Sequence, residues 1–378
     1  MIDASLVRPW TPEVAAAVMR PAGHTPDRRL AFVLHTAELV NHYSEIWAHL
    51  DPDEFEIIVA ADTENDNAAI AGFALDHGYR VAWVGDVMSQ GRVFDAVVSN
   101  HAGSAGAIAG GGRVLPHLGR RHVRLMYSLG KDAANYNPWN EDYDLILCWG
   151  PYHAGRLAAY ERPRIVQVGY PRFDSFFRIS EPRRDVVARL GGDPDRPTLL
   201  WLPTWHEASS IDAFAETIAG LRDEMNVFLK VHPFTATKET ARMALLAGVG
   251  LTPTTGIFES NVELVYAADM VAADYGGSAF ATIYTDRELV LLNTPGVGQD
   301  PADAVVGAES LDIQVRDWIL NIAPGEGDLI RAHLADPTAR EQQRGVRERL
   351  RRSLFAPFQG CAGEIAATTL RNLDAILS

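Results

Sequence analysis

Two short apolar runs stop abruptly at polar or glycine residues, and they point this chain toward a parallel α/β sheet. The first is Val227-Phe-Leu-Lys-Val-His-Pro233 and the second is Met270-Val-Ala-Ala-Asp-Tyr-Gly-Gly-Ser278. A strand buried on both faces reads as a near-continuous apolar run, and ligands of open parallel sheets bind beyond the carboxyl ends of the strands. The first run delivers Lys230 and His232 to that edge. The second delivers Asp274 and Tyr275, then Gly276, Gly277 and Ser278. Main-chain amides that open a helix after such a turn suit a phosphate. Two such ends in one half of the chain predict a nucleotide-diphosphate site.

The rest of the chain alternates in the same way. Leu30-Ala-Phe-Val-Leu34 reads as a buried strand, and Leu39, Tyr43, Ile46, Trp47 and Leu50 follow at helical spacing. Further strands are expected at 55–60, 80–84, 96–99, 121–126 and 145–149. A second unit is expected to open near Ile165 and to carry strands at 199–202, 227–231, 270–273 and 289–292. Helices are expected at 183–190, 211–225, 237–247 and 278–286, and residues 355–377 keep helical periodicity. Strands alternating with helices imply βαβ units and parallel sheets. The length of 378 residues exceeds what one core usually serves, so two domains are expected.

Composition narrows the partners. The formal net charge of −15 opposes sequence-independent binding to nucleic acid, and any phosphate must be held by local cations and oriented amides. No run of about 18 apolar residues and no N-terminal charged-then-apolar segment occurs, so neither a membrane span nor a secretion signal is expected. The two cysteines, Cys148 and Cys361, make neither a disulfide framework nor a metal cluster, and a reducing cytoplasm is expected. There is no HExxH, no paired CxxC and no Asp-x-Asp cluster resembling those of many cation-dependent transferases, so no metal is expected. Arg344, Arg347, Arg349, Arg351 and Arg352 read as a solvated helix or as a contact with an anionic surface, which would be peripheral binding to the inner face of a membrane.

Each candidate has a chemical reading and a plain one. Proline after His232 holds it extended, so its ring could donate to a diphosphate oxygen or simply occupy a turn. Lys230 lies two residues earlier, on the same face of a strand. Ser278 suits the N-cap of the following helix. Thr204 and Trp205 close strand 199–202 at the same edge, where the indole either stacks on a base or packs. Arg172 reaches a phosphate or pairs with Asp174. In the first half His35, His101 and Asp132 follow strand ends or glycine turns and are candidate bases. Lys131 and the glycine-rich stretches near 103 and 110–112 would frame them.

Five spaced motifs carry a family pattern: Gly169-Tyr-Pro-Arg-Phe-Asp174, Pro203-Thr-Trp205, Lys230-Val-His-Pro233, Asn261-Val-Glu-Leu-Val-Tyr-Ala-Ala-Asp269 and Ala273-Asp-Tyr-Gly-Gly-Ser278. In this order they resemble the CDP-glycerol glycerophosphotransferases, which build teichoic acid and related capsule polymers. The resemblance covers roughly residues 145–300. It implies a GT-B-like α/β fold with two Rossmann-like doubly wound domains facing a cleft. Residues 1–163 would form the acceptor side, 164–355 the donor domain, and 356–378 a helix crossing back. It also implies that His232 contacts the donor pyrophosphate and that residues 274–278 line the phosphate site. Two departures stand out. The family's serine pair is Gly276-Gly277 here, and its N-terminal His-Gly motif is replaced by Leu125-Met-Tyr-Ser-Leu-Gly-Lys-Asp132.

The resemblance implies transfer of glycerol phosphate, another polyol phosphate or a sugar from a nucleotide-diphosphate donor, CDP-linked by preference, to a polyol-phosphate or glycan hydroxyl. No cofactor is implied. A nucleotide-sugar epimerase or hydrolase of the same fold, and a degenerate nucleotide-binding relative, are the alternatives.

Overall fold

The computed structural model describes residues 25–61, 63–100, 115–130, 132–297 and 310–378. His101, Lys131 and the glycine stretches near 103 and 110–112 lie outside those residues. The chain divides into two compact units. The first holds the described residues up to Tyr127, with Asn137–Asp174 and Ala356–Ser378; the second holds Ser128–Tyr136 and Ser175–Phe355.

The first unit is built on seven parallel strands: β1 (Thr25–Leu34), β2 (Phe55–Val59), β3 (Val81–Trp83), β4 (Arg92–Ser99), β5 (Gly119–Leu125), β6 (Leu145–Cys148) and β7 (Arg164–Gln167). Their spatial order is β3-β2-β1-β4-β5-β6-β7. The order reverses between β1 and β4, the switch point where ligands of such sheets bind. His35, Ser99 and Asn100 stand there. The strand expected to open the second unit instead pairs with β6, Ile165 opposite Ile146, and edges the first sheet. The boundary therefore falls after Asp174, because β7 gains a ladder only from β6. Helix Val40–Trp47 buries Tyr43, Ile46 and Trp47, and the Trp47 ring stacks on Phe55 at 5.7–5.9 Å from its aromatic neighbours Phe32 and Phe55. Helix Ala362–Arg371 packs on that same helix within the first unit.

The second unit carries β8 (Thr198–Leu202), β9 (Asn226–Leu229), β10 (Met270–Ala273), β11 (Glu288–Leu292) and β12 (Asn321–Ile322), all parallel. Their order is β12-β11-β10-β8-β9. This is the second common doubly wound order, and its switch point lies between β8 and β10. Every residue of β8, β10 and β11 is buried, which is why 199–202, 270–273 and 289–292 read as unbroken apolar runs. Trp201, Phe214, Ile218, Leu246 and Ile330 share one core cluster against the sheet. β12 is only two residues long and carried no periodic signal in the sequence.

The arginine-rich stretch forms helix Pro337–Leu354, capped by the Asp336 carboxylate, which accepts from Thr338 and Ala339 amides. Arg347 is not on the solvated face. It is buried, with Nη1 and Nη2 on the Glu288 carboxylate at 2.8 and 3.0 Å and Nε on Asp286 at 3.1 Å. Arg344 and Arg352 pair with Glu341 and Glu348 one turn away. No helix among the described residues is long and apolar enough to cross a membrane.

Candidate functional site

The switch point of the second sheet gathers most of the second-half candidates. Leu202 of β8 pairs with Ala273 of β10, and Trp201 pairs with Leu229 of β9. Parallel register therefore sends Pro203–Trp205, Lys230–Pro233 and Asp274–Ser278 out at one edge.

Asp274 holds this edge together. Its carboxylate is 2% exposed and accepts from Thr204 N at 2.9 and 3.0 Å, Ser210 N at 2.8 Å and Tyr275 N at 2.8 Å. Burial pushes its carboxyl above the usual range, and the amide donors oppose that shift. The group clamps the exit of β8 to the exit of β10, and Thr204 contributes through its backbone. Tyr275 is equally interior: it packs against Ala208, and the Arg316 guanidinium lies 4.1 Å from its ring centre.

His232 is the N-cap of helix Pro233–Lys238. Its Nδ1 accepts from Phe234 N at 3.2 Å, so the neutral ring carries its proton on Nε2. The Trp205 ring lies 5.7 Å away and nearly parallel, at 23°, and Phe234 meets Trp205 edge-on at 4.7 Å. An indole beside an imidazole donor is a surface on which a base or ribose can lie. Lys230 does not share this face. β9 ends at Leu229, and the ammonium turns to the carbonyls of Gly256 and Ile257, tying down their loop.

The helix expected at 278 begins one residue earlier, as Gly277–Tyr284 with Gly276 as N-cap, so Ser278 lies inside its first turn. Gly276 has φ 103° and ψ −158°, a conformation that L side chains rarely adopt. Its amide donates to the Asp312 carboxylate at 2.6 Å. The amides of Gly277, Ser278 and Ala279 have no intrahelical acceptor by construction, and they carry the positive end of the helix dipole. The Gly-Gly departure thus splits in two. Gly276→Ala is expected to cost about 1–3 kcal/mol through backbone strain. Gly277→Ala is expected to be neutral or mildly stabilising, because an added Cβ would meet nothing closer than Ser128 Cβ at 3.8 Å. Thermal unfolding of the two variants checks the contrast.

The segment that replaces the family's His-Gly motif is divided: residues 125–127 belong to the first unit, and the described residues from Ser128 onward belong to this one. Asn135 Nδ2 donates to the carbonyls of Ser128 and Gly130 at 2.8 and 2.7 Å, holding that turn. Asp132 opens the short helix Asp132–Asn135. Asp312 and Arg316 were not singled out from the sequence, since neither lies in a motif and their partners Gly276 and Asp274 are distant along the chain.

In the first unit Arg172 does not pair with Asp174. Its Nη1 donates to Glu38 at 3.3 Å and to His42 Nε2 at 2.7 Å, and Tyr127 Oη donates to the other Glu38 oxygen at 2.9 Å. Asp174 instead accepts from Gly363 N at 2.6 Å. His42 is 4% exposed; burial, then the Arg172 charge, lowers its pKa to about 3. The unfolded histidine titrates near 6.5, so this ring contributes stability above that pH, lost as pH falls from 6.5 toward 3. Between pH 7.5 and pH 5 the loss is about 2 kcal/mol, and His42→Gln is expected to flatten that part of a urea-stability profile.

Residues 155–291 match the family model described as CDP-glycerol:poly(glycerophosphate) glycerophosphotransferase. A search of curated proteins finds no match. Among solved structures, a variant of the wall teichoic acid polymerase TagF soaked with CDPG superposes with a TM-score of 0.68 at 12% identity, covering 97% of this chain and 93% of that one. HepE of Anabaena, in complex with UDP and glucose, gives a TM-score of 0.55 at 11% identity, covering 92% of this chain and 100% of that one. At these identities the structural likeness carries the fold, which is the two-sheet α/β arrangement of GT-B-like transferases. Family and fold together support a transferase that uses a nucleotide-linked donor. The motif order and the family match thus converge on one region: residues 155–291 carry the sequence pattern of the CDP-glycerol:poly(glycerophosphate) glycerophosphotransferases.

Proposed function

We propose that the protein transfers a glycerol-phosphate, related polyol-phosphate or sugar group from a nucleotide-diphosphate donor, CDP-linked by preference, to an acceptor hydroxyl in cell-surface polymer synthesis. One observation carries this reading: the β8/β10 switch point joins the His232 imidazole, the Trp205 ring and the head of helix Gly277–Tyr284 at one sheet edge. The indole would take the base or ribose. The first-turn amides and His232 Nε2–H would take the phosphates. In the transferred-phosphate reaction the acceptor oxygen bonds to the β-phosphorus, the phosphoanhydride bond breaks and CMP departs with the electron pair. Donors already aimed at that leaving phosphate lower the barrier without reorganisation. The acceptor proton goes to a base proposed among His35, His101 and Asp132.

The protein would work in the cytoplasm. Contact with the inner membrane face through residues 344–352 is weakened as a proposal, because Arg347 is internal and two of its neighbours are paired with glutamates.

The test is product analysis with CDP-glycerol and with nucleotide sugars, each with and without a polyol-phosphate acceptor. Acceptor-dependent release of CMP is expected. Change in the donor alone would favour an epimerase or hydrolase, and binding without turnover would favour a degenerate relative.

A further inference from the structure

The segment from Ser310 to Arg316 grips the phosphate turn from both sides. Asp312 Oδ1 accepts from the Gly276 amide at 2.6 Å, and Arg316 Nη2 donates to the Asp274 main-chain carbonyl at 2.6 Å. The two grips bracket a turn whose glycine sits at φ 103°. Both grips are themselves anchored. Asp312 is 2% exposed, and Ser310 Oγ donates to its second oxygen at 3.1 Å. Arg316 Nη1 donates to Asn293 Oδ1 at 2.8 Å and to the Leu292 carbonyl at 3.3 Å, at the end of β11. A third segment closes the arrangement, because a Cβ added at Gly130 would overlap the Asp312 carboxylate.

A glycine in this region of backbone space is held there only by its surroundings, since no side chain restricts it. An amide already donated to a buried carboxylate is not the donor that a phosphate uses. We infer that Asp312 and Arg316 are positioning residues. They fix the turn so that the Gly277 and Ser278 amides, and not that of Gly276, face the diphosphate. Naming the diphosphate rests on the donor reading above; the clamp itself rests on the contacts alone.

Two measurements on the full chain test it: CDP affinity by calorimetry, and amide hydrogen exchange at residues 276–278. Asp312→Ala is expected to raise the CDP Kd by about tenfold or more and to speed exchange at Gly276 by a similar factor, the scale of one charge-assisted hydrogen bond. Asp312→Asn keeps an acceptor oxygen and should stay within about threefold on both counts. Gly130→Ala pushes the flexible end of Asp312 off the amide, so it should reproduce Asp312→Ala, and the double variant should be no worse than either single. Arg316→Gln gives a separate handle if an Asp312 variant does not fold, with the same expected loss. An unchanged or lower Kd in Asp312→Ala would overturn the inference, since the carboxylate would then be indifferent to the phosphate or a competitor for its site. Loss of CDP binding in His232→Ala, with retention in all four clamp variants, would sink this inference and leave the donor reading standing. A wild-type protein that binds no nucleoside diphosphate would sink both, whatever the exchange data show.

Discussion

Asp274→Ala is expected to destabilise the protein by about 3–9 kcal/mol, because three interior amides lose their acceptor at once and each orphaned group costs about 1–3 kcal/mol. Those amides belong to Thr204, Ser210 and Tyr275, so the substitution releases the exit of β8 from the exit of β10. Asp274→Asn should fall between, since one oxygen survives while the amide group faces other donors. Urea unfolding reads this as a lower midpoint with little change in slope. A loss under about 1 kcal/mol would mean that water or a small rearrangement satisfies the amides, and that Asp274 is not the clamp described above.

Replacing His232 should do the opposite: a small change in stability with a large one in rate. The ring has two roles on two nitrogens. Nδ1 caps helix Pro233–Lys238, a contribution of about 1 kcal/mol, and Nε2–H is the donor proposed for the leaving phosphate. Loss of one preorganised donor to developing charge costs about 10²- to 10³-fold in turnover. His232→Asn separates the roles, because asparagine is itself a good N-cap. Stability is then retained and the rate loss persists. Near-normal turnover in both His232→Ala and His232→Asn would remove the imidazole from the chemistry and leave it as a cap.

The two predictions divide the sequence motif that suggested them. Asp274 and His232 stood out for the same reason, each closing an apolar run, yet the structure gives one carboxylate to the fold and leaves one imidazole at the edge beside Trp205. Nothing local distinguishes them. Whether a strand-end side chain turns inward is decided by what the neighbouring loop offers, and here the 204–210 loop offers two amides, those of Thr204 and Ser210. Strands β8, β10 and β11 were legible because burial on both faces requires uninterrupted apolar residues. The assignment of β7 was not, since its apolar pattern fits either sheet and only its pairing with β6 decides. Lys230 misled because the alternation rule holds only while the strand continues, and β9 ends one residue before it. Asp312 reaches Gly276 across 36 residues, so it left no trace in any window of sequence. The departure from the family's serine pair gains a physical reason at Gly276, whose φ of 103° favours glycine, but none at Gly277.

The central claim is that the β8/β10 switch point of the second unit receives a nucleoside diphosphate. Crystals grown with CDP test it most directly. The account predicts diphosphate oxygens within about 3 Å of the Gly277 and Ser278 amides and of His232 Nε2, with the base against Trp205. CDP seated at another edge, or an empty switch point at saturating nucleotide, would contradict it.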